Sequence, residues 1–361
     1  MRPKLWCRRI SKARKLHLLC NCHPYFAREY CICLIPALYG YAVLQSLIRY
    51  FQTQSMIFPM VFSSISVLFL HIPICWGLVF KLGLGHVGAA FAIAISYWLN
   101  AIGLGFYMKY SSACQKTKIV FSSNALSSIK EFLHFAIPSG LMFCFEWWSF
   151  ELLTLLAGLL PNPQLETSVL SVCLNMTTLH YFIPYAVGAS ASTRVSNEIG
   201  AGNPKAAQGT VRVVVIIGMA EAVIVSTFFY CCRHILGYAY SNDKEVVDYV
   251  AEMVPLLCVS VSADSIIGAL SGIARGGGFQ KMGACVNLGA YYLVGAPIAF
   301  LLGFVLQLRA KGLWIGVLIG SILQIIILSV VIALTNWEKE AAKARQRLAE
   351  KSIKAHDGVL V

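Results

Sequence analysis

Charge is scarce in this chain, and acid is scarcer than base. Only 12% of its 361 residues are charged, 29 Lys and Arg against 16 Asp and Glu, where a soluble domain carries about 25%. No stretch has the composition of a long soluble domain. With 58% hydrophobic residues, the bilayer is the expected solvent. The stretch from Met1 to Phe26 holds no apolar core long enough for a signal peptide. A second cysteine pair at metal-ligand spacing is also lacking. Cys20-Asn21-Cys22-His23, with Cys31 and Cys33 beyond, imitates half a zinc site and then runs into an apolar segment, so neither a metal nor a cofactor is expected. Many of the 13 cysteines, Cys75, Cys144, Cys173 and Cys258 among them, lie inside apolar runs, where a thiol packs as a small apolar group; no disulfide framework is expected. The net charge of +13 does not indicate nucleic acid, because Lys and Arg flank apolar runs instead of interleaving with aromatics. Gly200-Ala201-Gly202 lacks the Lys-Ser/Thr and strand context of a nucleotide cradle. Gly358 to Val361 match no retention or lipidation signal.

What remains is an all-α polytopic membrane protein with about nine transmembrane helices of ~20–25 residues each. The spans are expected near 31–49, 56–80, 86–108, 133–160, 168–192, 213–236, 247–272, 282–305 and 313–335. The organising stretch runs from Ala136 to Pro204, two apolar runs joined at Leu160-Pro161-Asn162-Pro163 and each kinked by an interior proline, Pro138 and Pro184. The first run contains Glu146 and Glu151, and a charge at mid-depth costs roughly 2.5–3.5 kcal/mol on insertion scales, so such residues are functional candidates. Five positions along a helix set the two ~140° apart, so one is expected to face the interior. Asp264 in the seventh span and Glu221 in the sixth are further intramembrane carboxylates; for Glu221 an interhelical hydrogen bond and a functional role stay equally open. His71 is read as a hydrogen-bonded interior residue. His180 has no obvious partner, which argues against a membrane-embedded enzyme.

Self-similarity appears once. LQSLIRYFQTQ (44–54) matches LSGIARGGGFQ (270–280), placing Arg49 and Gln54 on Arg275 and Gln280. Gly85-His86-Val87-Gly88 then parallels the stretch from Gly312 to Gly316 at nearly the same offset. Spans one to three thus repeat as seven to nine, while spans four to six have no counterpart before residue 31. Paired halves with a site between them are a transporter arrangement. The Lys/Arg bias places the basic 109–130 loop, the Arg194–Arg212 region, Arg275–Lys281 and the C-terminal tail in the cytosol, with the 160–167 and 240–245 loops on the opposite side. By the same alternation the strongly basic residues 1–30 fall outside.

The blocks LIPALYGYAVLQSLIRYFQTQ, GHVGAAFAIAISYWLN, FEWWSFELLTLLAGLLPNP, STRVSNEIGAGNP and LSGIARGGGFQ resemble the plant-type multidrug and toxic compound extrusion transporters, the MATE or DETOXIFICATION family. The resemblance covers about residues 28–337. It implies a twelve-helix fold in two six-helix lobes, of which this chain carries helices 4–12. The division is then a basic tail outside the family pattern (1–30), a partial N-lobe (31–108), a cytoplasmic linker (109–132), a C-lobe (133–336) and a cytoplasmic tail (337–361). It implies a monomer in the vacuolar or plasma membrane that exports small organic solutes, xenobiotics or secondary metabolites, in exchange for protons. Proton coupling would fall to Glu146 and Asp264, with Glu151, Glu221 and Asn175 secondary; Asn175 stands where some relatives carry Glu. Arg194, Asn197, Gly200, Gly202 and Arg275 belong to family motifs, Arg194 and Asn197 being expected to pin the cytoplasmic end of the fifth span. A shortened product that lacks activity and binds its full-length relatives is the alternative reading.

Overall fold

The computed structural model describes the backbone of residues 3–117 and 124–346 and the side chains of 28–115, 129 and 132–346. The side chains of Cys20, Cys22, His23 and Arg347 lie outside that set. Every regular element among the described residues is helical. The long helices are α1 (Pro3–Thr53), α2 (Ile57–Lys81), α3 (Gly85–Tyr110), α4 (Asn124–Ala157), α5 (Pro163–Gly200), α6 (Pro204–Cys231), α7 (Lys244–Gly276), α8 (Gln280–Val305) and α9 (Arg309–Leu334). Eight of them, all but α5, are long and apolar enough to cross a membrane, α1 through its Arg28–Thr53 part. The 38-residue α5 occupies the expected fifth span. Its length is ample, about 57 Å at 1.5 Å per residue, but Glu166, His180, Arg194 and Glu198 together with many Ser and Thr dilute its apolarity.

The chain forms two compact units, Met1–Phe121 and Ser122–Val361. In the first, α3 packs against α1 and α2; Leu44, Phe51, Ala101 and Leu104 form its core. His71 is bonded as expected, its Nδ1 2.8 Å from Ser96 Oγ. In the second, α7 is the axis. It packs on α5, α6 and α9, and Val250, Met253, Leu257 and Val261 are fully buried along it. The α5–α7 crossing is made of small residues. Gly188 and Gly272 lie backbone to backbone, and a side chain at Gly268 would strike Pro184. Glycine lets the two backbones approach where lipid supplies no hydrophobic drive between helices.

The internal repeat is visible in the backbone, in a different register. The π-turn Gly77–Lys81 recurs as Leu301–Val305. The left-handed residues Gly83 and Gly85 recur as Gln307 and Arg309, and left-handed Ser55 recurs as Gly278. Met56 N–H bonds Phe51 C=O as Phe279 N–H bonds Ala274 C=O. Arg275 therefore matches Gln52, and the pairing of Arg49 with Arg275 is one helical turn out. What repeats is the turn geometry; polar residues near a membrane boundary tolerate a shift of one turn.

The Arg194–Arg212 region is mostly helix and not loop. Gly202 has φ +73 and closes α5: its N–H bonds Ile199 C=O while Asn203 N–H bonds Glu198 C=O, a Schellman stop. Arg194 and Asn197 are exposed and make no side-chain hydrogen bond among the described residues. The turn is instead held by Arg345, which donates to the carbonyls of Ala201 and Gly202 at 3.3 and 3.1 Å. The start of the C-terminal tail packs on the same unit through Trp337, which is buried and edge-on to Phe279.

Candidate functional site

Glu146 and Asp264 come together. They line one cavity in the second unit, with Trp147 and Phe150 from α4 and Leu174, Thr177, Thr178 and Tyr181 from α5. Glu146 is 7% exposed, whereas Asp264 is partly open to the cavity. The periodicity of α4 explains the first placement: Met142, Glu146, Ser149 and Leu153 are buried on one stripe, and Glu151 falls on the exposed face. Ser149 donates back to Glu146 C=O at 2.6 Å. The positive field felt by Glu146 comes from Arg275, and its polar neighbour is Gln324 of α9. Gln324 Oε1 in turn accepts from Tyr291 OH at 2.7 Å. Trp147 meets Tyr181 edge-on across the cavity, centroids 5.3 Å apart.

The free volume of this cavity is about 40 Å³, and one water needs ~10–15 Å³ on the same measure. In this conformation the space admits water or a proton and excludes an organic molecule. No cluster of three or more His, Cys, Asp or Glu that could hold a metal exists among the described residues.

The structure separates the remaining candidates from this cavity. Asn175 is exposed and donates to Ser171 C=O of its own helix at 2.8 Å. Glu221 joins a different group. His180 is not partnerless as read from sequence: its Nε2 lies 2.8 Å from Glu221 Oε1, and Ser265 donates to Glu221 Oε2. No catalytic constellation results. Glu221 contacts both the histidine and the serine, and the serine donates to the carboxylate.

Sequence reading missed Glu166 altogether. It is 0% exposed and joins three helices, accepting from Ala310 N–H at 3.0 Å and Tyr249 OH at 3.2 Å, with Arg309 Nη1 3.9 Å away. Its only sequence signal is an acid in the first turn of α5, where a helix N-terminus favours negative charge; its partners, Tyr249 and Ala310, stand on α7 and α9, far along the chain.

Comparison with known proteins places the chain in a family. The MatE family profile matches residues 138–301, which include both cavity carboxylates. Protein DETOXIFICATION 9 of Arabidopsis thaliana is 50% identical over 92% of this chain and 69% of its own length. The chain belongs to the MATE family. Protein DETOXIFICATION 14 of the same plant is 52% identical over 89% of this chain and 66% of its own length, so the chain spans about two thirds of such relatives. The crystal structure of the eukaryotic MATE transporter AtDTX14 superposes with a TM-score of 0.86 at 53% identity, covering 88% of this chain and 71% of that one. A mutant of the Vibrio cholerae MATE transporter VcmN shares the fold at 15% identity, with a TM-score of 0.77 over 91% of this chain and 75% of its own. The protein is thus an integral membrane member of a transporter family, with relatives that are transporters and not enzymes.

Proposed function

We propose that this MATE-family chain serves a secondary antiporter that exports small organic solutes in exchange for protons, with Glu146 and Asp264 as the titrating groups. The observation that carries the reading is the shared cavity: two carboxylates from α4 and α7 meet where a proton fits and a solute does not. A protonated carboxyl is neutral and accepts burial; an ionised one demands water, a cation or a donor. Loading and unloading a proton therefore changes which packing of the proline-containing α4 and α5 around the cavity is stable. Pro138 and Pro184 supply the bends at which such a repacking is absorbed. Acidifying the outside of loaded vesicles should accelerate solute export, with matching acidification of the lumen read by an entrapped pH dye. Export that leaves the lumenal pH unchanged would contradict proton exchange.

A further inference from the structure

His180, Glu221 and Ser265 form a closed polar group at the meeting of α5, α6 and α7, apart from the Glu146–Asp264 cavity. The distances are 2.8 Å from His180 Nε2 to Glu221 Oε1 and 3.4 Å from His180 Nε2 to Ser265 Oγ. Ser265 Oγ also lies 2.8 Å from Val261 C=O. The His180 side chain is 1% exposed and that of Glu221 14%, and His180 Nδ1 is buried with no hydrogen-bond partner. Such a group inside a bilayer needs an account of its charge. Neutral histidine with ionised Glu221 carries one negative charge, and doubly protonated it carries one positive charge. Only the form with one proton between the two residues has no net charge, whichever residue holds it, and net charge at this depth is costly.

The group also sits at a hinge. Pro184 has no N–H, so the carbonyl of the residue four earlier, His180, loses its helical partner and α5 is free to bend there. The tethered side chain belongs to that same residue. On the next turn, a side chain at Gly268 of α7 would come 2.7 Å from Pro184 Cβ. The group is one residue from the cavity on two helices, Tyr181 following His180 and Asp264 preceding Ser265. Titratable groups near it on the packed helices include Asp264 and Cys258 on α7, Tyr181 on α5 and Glu146 on α4, with the Arg275 cation further along α7, beside Gly188 of α5. The Cys258 thiol bonds the Ser226 carbonyl of α6, and Asp264, Tyr181 and Glu146 line the cavity.

We propose that His180, Glu221 and Ser265 constitute a second proton-binding site, which holds one proton and, while it does, fastens the Pro184 hinge of α5 to α6 and α7. The proposal rests on the proton-coupled reading above and adds a second proton to it. When that proton leaves, the neutral unit becomes an uncompensated carboxylate, the tie between α5 and α6 weakens, and α5 bends beside Tyr181 and Asp264.

Infrared difference spectra of the purified chain between acid and alkaline buffer, with released protons counted by an indicator dye, test it. Wild type should show carboxyl bands of which one disappears in Glu221→Gln and shifts in His180→Gln. Glu221→Gln should release one proton fewer per molecule than wild type. Ser265→Ala, which removes a donor to the carboxylate without removing a titrating group, should shift the band and keep the proton count. The Glu146→Gln, Asp264→Asn double variant should lose its own bands and keep that of Glu221. Unchanged spectra and proton counts in Glu221→Gln and His180→Gln would overturn the second site. If Glu221→Gln does not fold, an unshifted band in both His180→Gln and Ser265→Ala would overturn it instead. Failure of the Glu146–Asp264 reading would show separately, as undiminished proton-driven efflux in the double variant.

Discussion

Glu146 and Glu151 interrupt the same apolar helix, yet one is buried against the α7 carboxylate and the other looks outward. Spacing alone showed that the two acids cannot share a face, since about 100° per residue sets them ~140° apart; the choice of Glu146 came from the family resemblance, and its burial on one stripe with Met142 and Leu153 is read from the structure. The partners of His180 and Glu166 were not legible, since each is met on a different helix far along the chain and neither has a periodic signature. In a transporting protein, Glu151→Gln should therefore leave the efflux rate close to wild type, whereas Glu146→Gln should reduce it to background. Glu166 predicts a stability effect instead. Its carboxylate satisfies a buried backbone N–H and a tyrosine hydroxyl, so Glu166→Gln should cost roughly 1–3 kcal/mol, and Tyr249→Phe about 0.5–1.5 kcal/mol. Unfolding of the purified protein in denaturant measures both, and equal stabilities would contradict the assigned contacts.

At the scale of elements, α5 shows how far composition carries and where it stops. Its ends are written in sequence: Pro163 opens it, and Gly202 closes it by the left-handed conformation that a Schellman stop requires. Its burial is not written there. The helix holds Glu166 and His180 buried because one face packs on α7, and that face is set by Gly188, Gly268 and Gly272 coming within backbone contact; Arg194 is exposed near its C-terminal end. Gly268→Leu should overpack the crossing and destabilise by about 1–3 kcal/mol. Gly209 in α6 has open space where a side chain would go, so Gly209→Ala should be neutral or stabilise by up to roughly 1 kcal/mol, the helix-propensity gain. The contrast distinguishes close approach from helix propensity. The repeat teaches the same lesson: residue identities paired Arg275 with Arg49, whereas the left-handed residues Ser55 and Gly278 and the hydrogen bonds of that turn pair it with Gln52, since the hairpin needs the backbone geometry and tolerates several residue types.

For the whole molecule, the order of the long helices among the described residues followed from apolar runs, eight of them apolar enough to cross a membrane, and the family from five ordered motifs, because both are properties of contiguous sequence. The Lys/Arg asymmetry predicts the orientation in the membrane. In a cysteine-depleted background, Asn162→Cys in the exposed turn before α5 should react with an impermeant thiol reagent from the non-cytosolic side, and Gly209→Cys from the cytosol; the reverse pattern would invert the topology. The central claim concerns two acids. Glutamine and asparagine keep the size and hydrogen-bonding capacity of Glu146 and Asp264 but cannot titrate, so a purely structural role leaves activity near normal and a coupling role removes it. The decisive measurement is solute efflux driven by an imposed proton gradient in vesicles holding Glu146→Gln, Asp264→Asn protein at wild-type abundance. Efflux indistinguishable from protein-free vesicles is the predicted result, and efflux at the wild-type rate would contradict the account.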